Sequence, residues 1–187
     1  MCTLYHTMVG YDIMTGMTIA IFLIKNILFF AIPLALVEIC IEKGQGWGGG
    51  LSKDKWYAKS ILRNTKLGAF IQKITKLDLP LNFHLIISYV IYPIFLILDY
   101  VFLSKNIFLI IAGLFVIMMC ADFSWFAFNW NFDSLTELTK GPTGNIFWHK
   151  KWVKISATKY IPIMYVEYFL FATIFVSLAI VYGFLWR

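Results

Sequence analysis

The stretch EKGQGWGGGLSKDKWYAKSILRNTKLGAFIQKITKLDLPL, Glu42 to Leu81, is a Gly-rich turn followed by a basic run, and it lies between two long apolar segments. It holds Lys43, Lys53, Lys55, Lys59, Arg63, Lys66, Lys73 and Lys76, eight of the sixteen Lys and Arg residues. Short loops rich in Lys and Arg stay on the cytoplasmic side of a membrane, so this loop orients everything around it.

The solvent is set by composition. Of 187 residues, 60% are hydrophobic and 19% aromatic, far outside the range of a soluble domain. Because the basic residues flank apolar runs, the net charge of +6 points to an anionic membrane surface and not to nucleic acid. Membrane lipids, through their anionic headgroups, are the expected partners, with a second copy or another membrane protein beside them. Cys2, Cys40 and Cys120 show no ligand spacing for zinc and no redox pair, and no cofactor is expected.

Outward from the loop, four apolar runs follow. Met17 to Ile41 has about 25 residues, enough at 1.5 Å each to cross a hydrocarbon core of about 30 Å. Its interior Pro33 predicts a kink. Residues 82–102 form the second span, with His84 at its start, Pro93 inside and Asp99 near its end. Residues 107–130 form the third, carrying Asp122 and ending in Trp125, Phe126, Phe128 and Trp130, an interfacial aromatic belt. Residues 161–186 form the fourth, with Pro162 in its first turn and Glu167 inside. The expected fold is a single all-α membrane domain of four transmembrane helices arranged as a four-helix bundle, residues 1–187.

Between the first two spans, Leu67, Phe70, Ile71, Ile74 and Leu77 recur at helical spacing with Lys66, Lys73 and Lys76 to one side. A basic amphipathic helix over 52–77, broken near Asn64 and Thr65, is expected to lie in the headgroup plane. Docking to a soluble partner is the competing use. The glycine run reads as a flexible helix exit with Trp47 at the interface; as a phosphate nest it lacks the Lys-Ser/Thr ending.

Loops 42–81 and 131–160 share a side and hold thirteen of the sixteen basic residues, the second contributing Lys140, Lys150, Lys151, Lys154 and Lys159. Both termini are therefore predicted outside, with the first span as an uncleaved anchor in a bacterial inner membrane.

Charges within spans cost about 2.5–3.5 kcal/mol each on insertion scales and mark function. Counting rise per residue puts Asp122 and Glu167 both about 10 Å from the cytoplasmic boundary. Glu38, His84 and Glu42 lie near the same face. Glu38, His84, Asp122 and Glu167 are candidate metal ligands, or a proton relay, or acid/base groups acting on a lipid headgroup. The bland alternative keeps Glu38 and His84 solvated and uses Asp122 and Glu167 as helix-to-helix hydrogen bonds. Lys25 is expected to form a structural ion pair with Asp99. Asp133 and Glu137, four apart, suggest a weak magnesium-phosphate pair, and His149 beside Lys150 and Lys151 reads as a solvated basic patch.

No nucleophile elbow, histidine-rich iron pattern or lipid-phosphatase motif is present. Two functions follow. One is a small polytopic protein without enzymatic activity, an accessory, assembly or transport-related subunit. The other is a membrane-embedded enzyme acting on a lipid or lipid-phosphate, with Glu38, Asp122 and Glu167 catalytic and Lys59, Arg63, Lys66 and Lys73 holding phosphate. Convergence of Asp122 and Glu167 with His84 and Glu38 on one cavity separates them: it favours the enzyme or an ion-binding site, and separate neighbours disfavour it.

Overall fold

The computed structural model describes residues 16–46, 49–75, 80–130, 134–146 and 148–185. Trp47, Lys76, Leu77, Asp133, the lead up to Thr15 and the final Trp186 and Arg187 lie outside the described residues.

Among the described residues, four helices are long and apolar enough to cross a membrane: α1 (Gly16–Ile41), α3 (Asn82–Leu103), α4 (Ile107–Phe128) and α6 (Ile163–Leu185). This is the mostly helical architecture of an integral membrane protein. Between them lie α2 (Lys66–Thr75), α5 (Ser134–Lys140) and a short antiparallel pair, β1 (Trp152–Lys154) with β2 (Tyr160–Pro162).

The two interior prolines act alike. In α1 a widened turn, Ile27–Ala31, puts the Ile32 N–H on Ile27 O, and Pro33 follows. In α3 the same turn, Ile87–Ile91, puts the Tyr92 N–H on Ile87 O, and Pro93 follows. Proline has no N–H and its ring conflicts with the carbonyl four residues back. In hydrocarbon no water satisfies the backbone groups it disturbs, so the ladder shifts to a five-residue spacing and keeps its bonds internal.

The central element is α4, which packs against each of the other three spans. Asn106 starts it by accepting the Phe108 and Leu109 N–H groups at 3.1 and 3.3 Å, while its Nδ2 donates to Ala179 O of α6 at 3.1 Å. Three apolar clusters run along α4. Leu109 meets Ile19, Phe22 and Ala179 at the turn end; Ile117 and Ala121 meet Ala31, Leu34 and Ile87 in the middle; Trp125 and Phe126 meet Ala35, Ile39, Leu138 and Ile146 at the loop end.

Two expectations shift. The basic helix shortens to Lys66–Thr75, because Asn64 takes a positive φ of 67° and Thr65 caps the helix, its hydroxyl accepting the Gly68 N–H at 2.9 Å. Residues 52–65 form turns and one 3-10 segment, Trp56–Ala58, stapled to the start of α3 by Asn82, which accepts the Ile61 N–H and donates to Trp56 O, both at 2.7 Å. The fourth span starts at Ile163 and not Ile161, since Tyr160–Pro162 pairs with Trp152–Lys154 and the Ile163 N–H donates to Lys151 O.

Gly113 sets the spacing of α1 and α4: a Cβ there would lie 2.9 Å from Phe22 Cε1 and 3.3 Å from Asn26 Cγ. Gly183 faces open space. Gly113→Val is expected to lower stability by about 1–3 kcal/mol through overpacking, while Gly183→Ala leaves it unchanged. Thermal unfolding of the two variants in one detergent checks this.

Candidate functional site

At the loop end of the four helices, five segments bring polar groups to one cavity of about 450 Å³. Each arrives by simple periodicity. Glu38 and Glu42 are four apart at the end of α1. Met118, Ala121, Asp122 and Trp125 form one stripe of α4, and His84, Ile87 and Ser88 one stripe of α3. Met164 and Tyr168, again four apart, come from α6, and Trp148 and His149 from the loop before β1.

Two carboxylate–imidazole pairs face this space. His84 Nε2 lies 3.6 Å from Glu42 Oε1, and His149 Nε2 lies 3.2 Å from Asp122 Oδ2. Asp122 Oδ2 also accepts the Tyr165 hydroxyl at 2.5 Å. His149 is nearly buried, its ring edge-on to Trp152 and Tyr165 at centroid distances of 5.7 and 6.2 Å. Between the pairs stands Glu38. It is half-buried, lies within electrostatic reach of Glu42 and Asp122, and has no hydrogen bond or ion pair to its carboxyl among the described residues.

The expected grouping is thus largely assembled and partly revised. Glu38, His84 and Asp122 line one cavity. Glu167 does not; it is exposed on the far side of α6. It follows Tyr165 by two residues, about 200° around the helix, and it is Tyr165 that meets Asp122. Among the described residues, no group of three His, Cys, Asp or Glu is placed to hold a metal ion. The solvated reading of His149 is overturned: the residue packs inside the cavity wall.

The Lys25–Asp99 ion pair does not form either. Lys25 is exposed on the outer face of α1, whereas Asp99 is fully buried beside Asn26, one residue further and about 100° around, whose Nδ2 donates to Phe22 O at 3.1 Å. Lys59, Arg63, Lys66 and Lys73 are all exposed outside the cavity. Glu137 is no magnesium ligand: its oxygens accept from Lys140 Nζ and, at 2.9 Å, from the Asn145 N–H.

The glycine run serves packing. Gly44 O accepts the Asn129 Nδ2 at 2.9 Å, and Gly46, at φ +59°, leaves room for the Trp148 ring, whose Cη2 would sit 2.6 Å from an added Cβ. Trp148 in turn lies edge-on to Trp125 and stacked on Phe126, closing the cavity with aromatic surface.

The Glu137 clamp holds the segment that delivers Trp148 and His149. Lys140 and the Asn145 N–H keep the Glu137 carboxyl below the ordinary range for Glu. A depressed carboxyl contributes stability present above its unfolded value and lost as pH falls through its folded value. The hydrogen-exchange protection factor of the Asn145 amide is therefore expected to fall on acidification below the ordinary Glu range, and Glu137→Gln to show low protection already at neutral pH without that acid-dependent step. Tyr165→Phe, which removes a donor from Asp122, is expected to cost about 1–3 kcal/mol in thermal unfolding.

Compared with protein-family models, with curated proteins and with solved structures, the chain matches none.

Proposed function

We propose that the chain is a membrane-embedded enzyme performing acid–base chemistry on an amphiphile that enters the cavity from the loop end. The observation that carries this reading is the convergence of Glu38, Glu42, His84, Asp122 and His149 on one cavity that also has an apolar wall. The roles follow from the contacts. Asp122, held by Tyr165, orients His149 as the group that takes or gives a proton. Glu38, without such a partner, is the carboxylate directed at the bound molecule.

The two basic loops support a cytoplasmic location for this end, with both termini outside, in a bacterial inner membrane. In α2, Leu67, Phe70 and Ile74 are exposed beside Lys66 and Lys73. This pattern supports an amphipathic helix resting on the headgroups, where Lys59 and Arg63 also meet lipid phosphate. The non-enzymatic reading, an accessory, assembly or transport-related subunit, draws on α3, whose Tyr89, Ile97 and Phe102 are exposed and suit a second copy or another membrane protein.

Positioned acid–base groups contribute about 10²–10⁴-fold to a rate. Wild type, Asp122→Asn and His149→Gln, each reconstituted in nanodiscs of an isotope-labelled total lipid extract, are to be compared by lipid mass spectrometry. The expected outcome is that wild type retains and converts one lipid class, with conversion at least a hundredfold slower in both variants while both remain folded at the assay temperature. Identical lipid spectra from well-folded variants overturn the enzymatic reading in favour of the subunit.

A further inference from the structure

The chemistry of the cavity walls bears on which molecules it accepts, provided that the acid–base reading of the site holds. Among the described residues, the lining contains three carboxylates, Glu38, Glu42 and Asp122, and two imidazoles, with no Lys or Arg. Counted with every carboxyl ionised and both imidazoles protonated, the lining sets three negative charges against two positive. His84 and His149 each face a carboxylate already, so the balance falls at Glu38. An anionic group would meet that excess charge. A metal ion would require ligands that do not cluster.

Aromatic rings complete the lining: Tyr92 from α3, Tyr168 from α6, and Trp148 from the loop. A carboxylate beside several ring faces is the arrangement that recognises alkylated ammonium groups. The ring quadrupoles attract a cation whose own hydration is weak, and the carboxylate supplies the counter-charge. A volume of about 450 Å³ suits a small molecule or a headgroup.

We propose that this cavity binds an organic ammonium group, with Glu38 as its counter-ion and Tyr92, Trp148 and Tyr168 as its aromatic walls. The ammonium comes either from a soluble amine or from a lipid headgroup. The second source has support in the sequence around the cavity, because Lys43 follows Glu42 directly and Lys150 and Lys151 follow His149, all three exposed. A zwitterionic headgroup would place its ammonium among the acids and its phosphate among these lysines.

The test uses the full chain in phosphatidylglycerol nanodiscs, which contain no ammonium. Choline, its uncharged isostere 3,3-dimethylbutanol and lysophosphatidylcholine are titrated by calorimetry against wild type, Glu38→Gln, Tyr168→Leu and Tyr168→Phe. Choline is expected to bind and the isostere to bind at least tenfold more weakly. Glu38→Gln should weaken choline at least tenfold, and Tyr168→Leu about fivefold, with Tyr168→Phe restoring affinity because the ring face remains. Lysophosphatidylcholine binding a hundredfold tighter than choline assigns the headgroup as the source; equal affinities assign a soluble amine.

Equal binding of choline and its isostere, or unchanged affinity in Glu38→Gln, overturns the proposal. So does the absence of choline binding by wild type. If the Asp122→Asn variant still loses lipid conversion in those cases, the acid–base reading survives without the ammonium; if it converts normally, both fall.

Discussion

A carboxylate placed among hydrocarbon must find its partners within the protein, and at the loop end Asp122 is the carboxylate around which those partners gather. Water cannot be relied on at that depth, and removing a partner from a buried ionised group typically costs about 3–5 kcal/mol. Tyr165 donates to Asp122 and His149 Nε2 lies 3.2 Å away, and each brings a segment with it. The tyrosine fixes the rotation of α6 against α4. His149 arrives on a loop that must cross the helix ends, which explains the packing found there: the β1–β2 pair anchoring the start of α6, the Glu137 clamp upstream, and Trp148 pressed on Gly46. The loop end is therefore built outward from one side chain.

The candidate site was legible in one coordinate and not in the other. Residue counts along a helix give depth, and depth correctly brought Glu38, His84 and Asp122 to a common layer. Rotation about the helix axis needs a reference face, which an apolar span in apolar solvent does not display: α4 and α6 are hydrophobic all round. Depth alone assigns Glu167 to the cavity, whereas Met164 and Tyr168 line it and Tyr165 meets Asp122; it likewise assigns Lys25 to Asp99, whereas Asn26 lies beside that carboxylate. Tyrosine and asparagine had signalled too weakly against nearby formal charges. His149 was missed because its neighbours Lys150 and Lys151 suggest solvent, whereas it turns inward under aromatic cover.

Fold was read more surely, since four spans of membrane length follow from composition and from the prolines and loops between them. What escaped lies in the loops. Three-residue strands such as Trp152–Lys154 and Tyr160–Pro162 are too short to show alternation, and they exist only because α6 and the loop are held together. The basic run from Ser52 lost half its expected helix to tertiary bonds from Asn82, a contact 21 to 26 residues distant that no local pattern displays.

Charge is sorted by position. Glu38, Glu42 and Asp122 line the cavity and lysines occupy the surrounding loops, so in the proposed reading attraction to anionic headgroups and recognition within the cavity are separate tasks. The two charged side chains on outer helix faces fit the same scheme. Glu167 lies one turn into α6, close to the loop boundary. Lys25 is nine residues beyond Gly16, about 13 Å along α1, and helical Cβ atoms tilt toward the N-terminus, here the nearer boundary. Its four-carbon stem can lie along the apolar face while the ammonium approaches the headgroups. An ion pair with Asp99 is then unnecessary, and Asp99 is left to Asn26 in the protein interior.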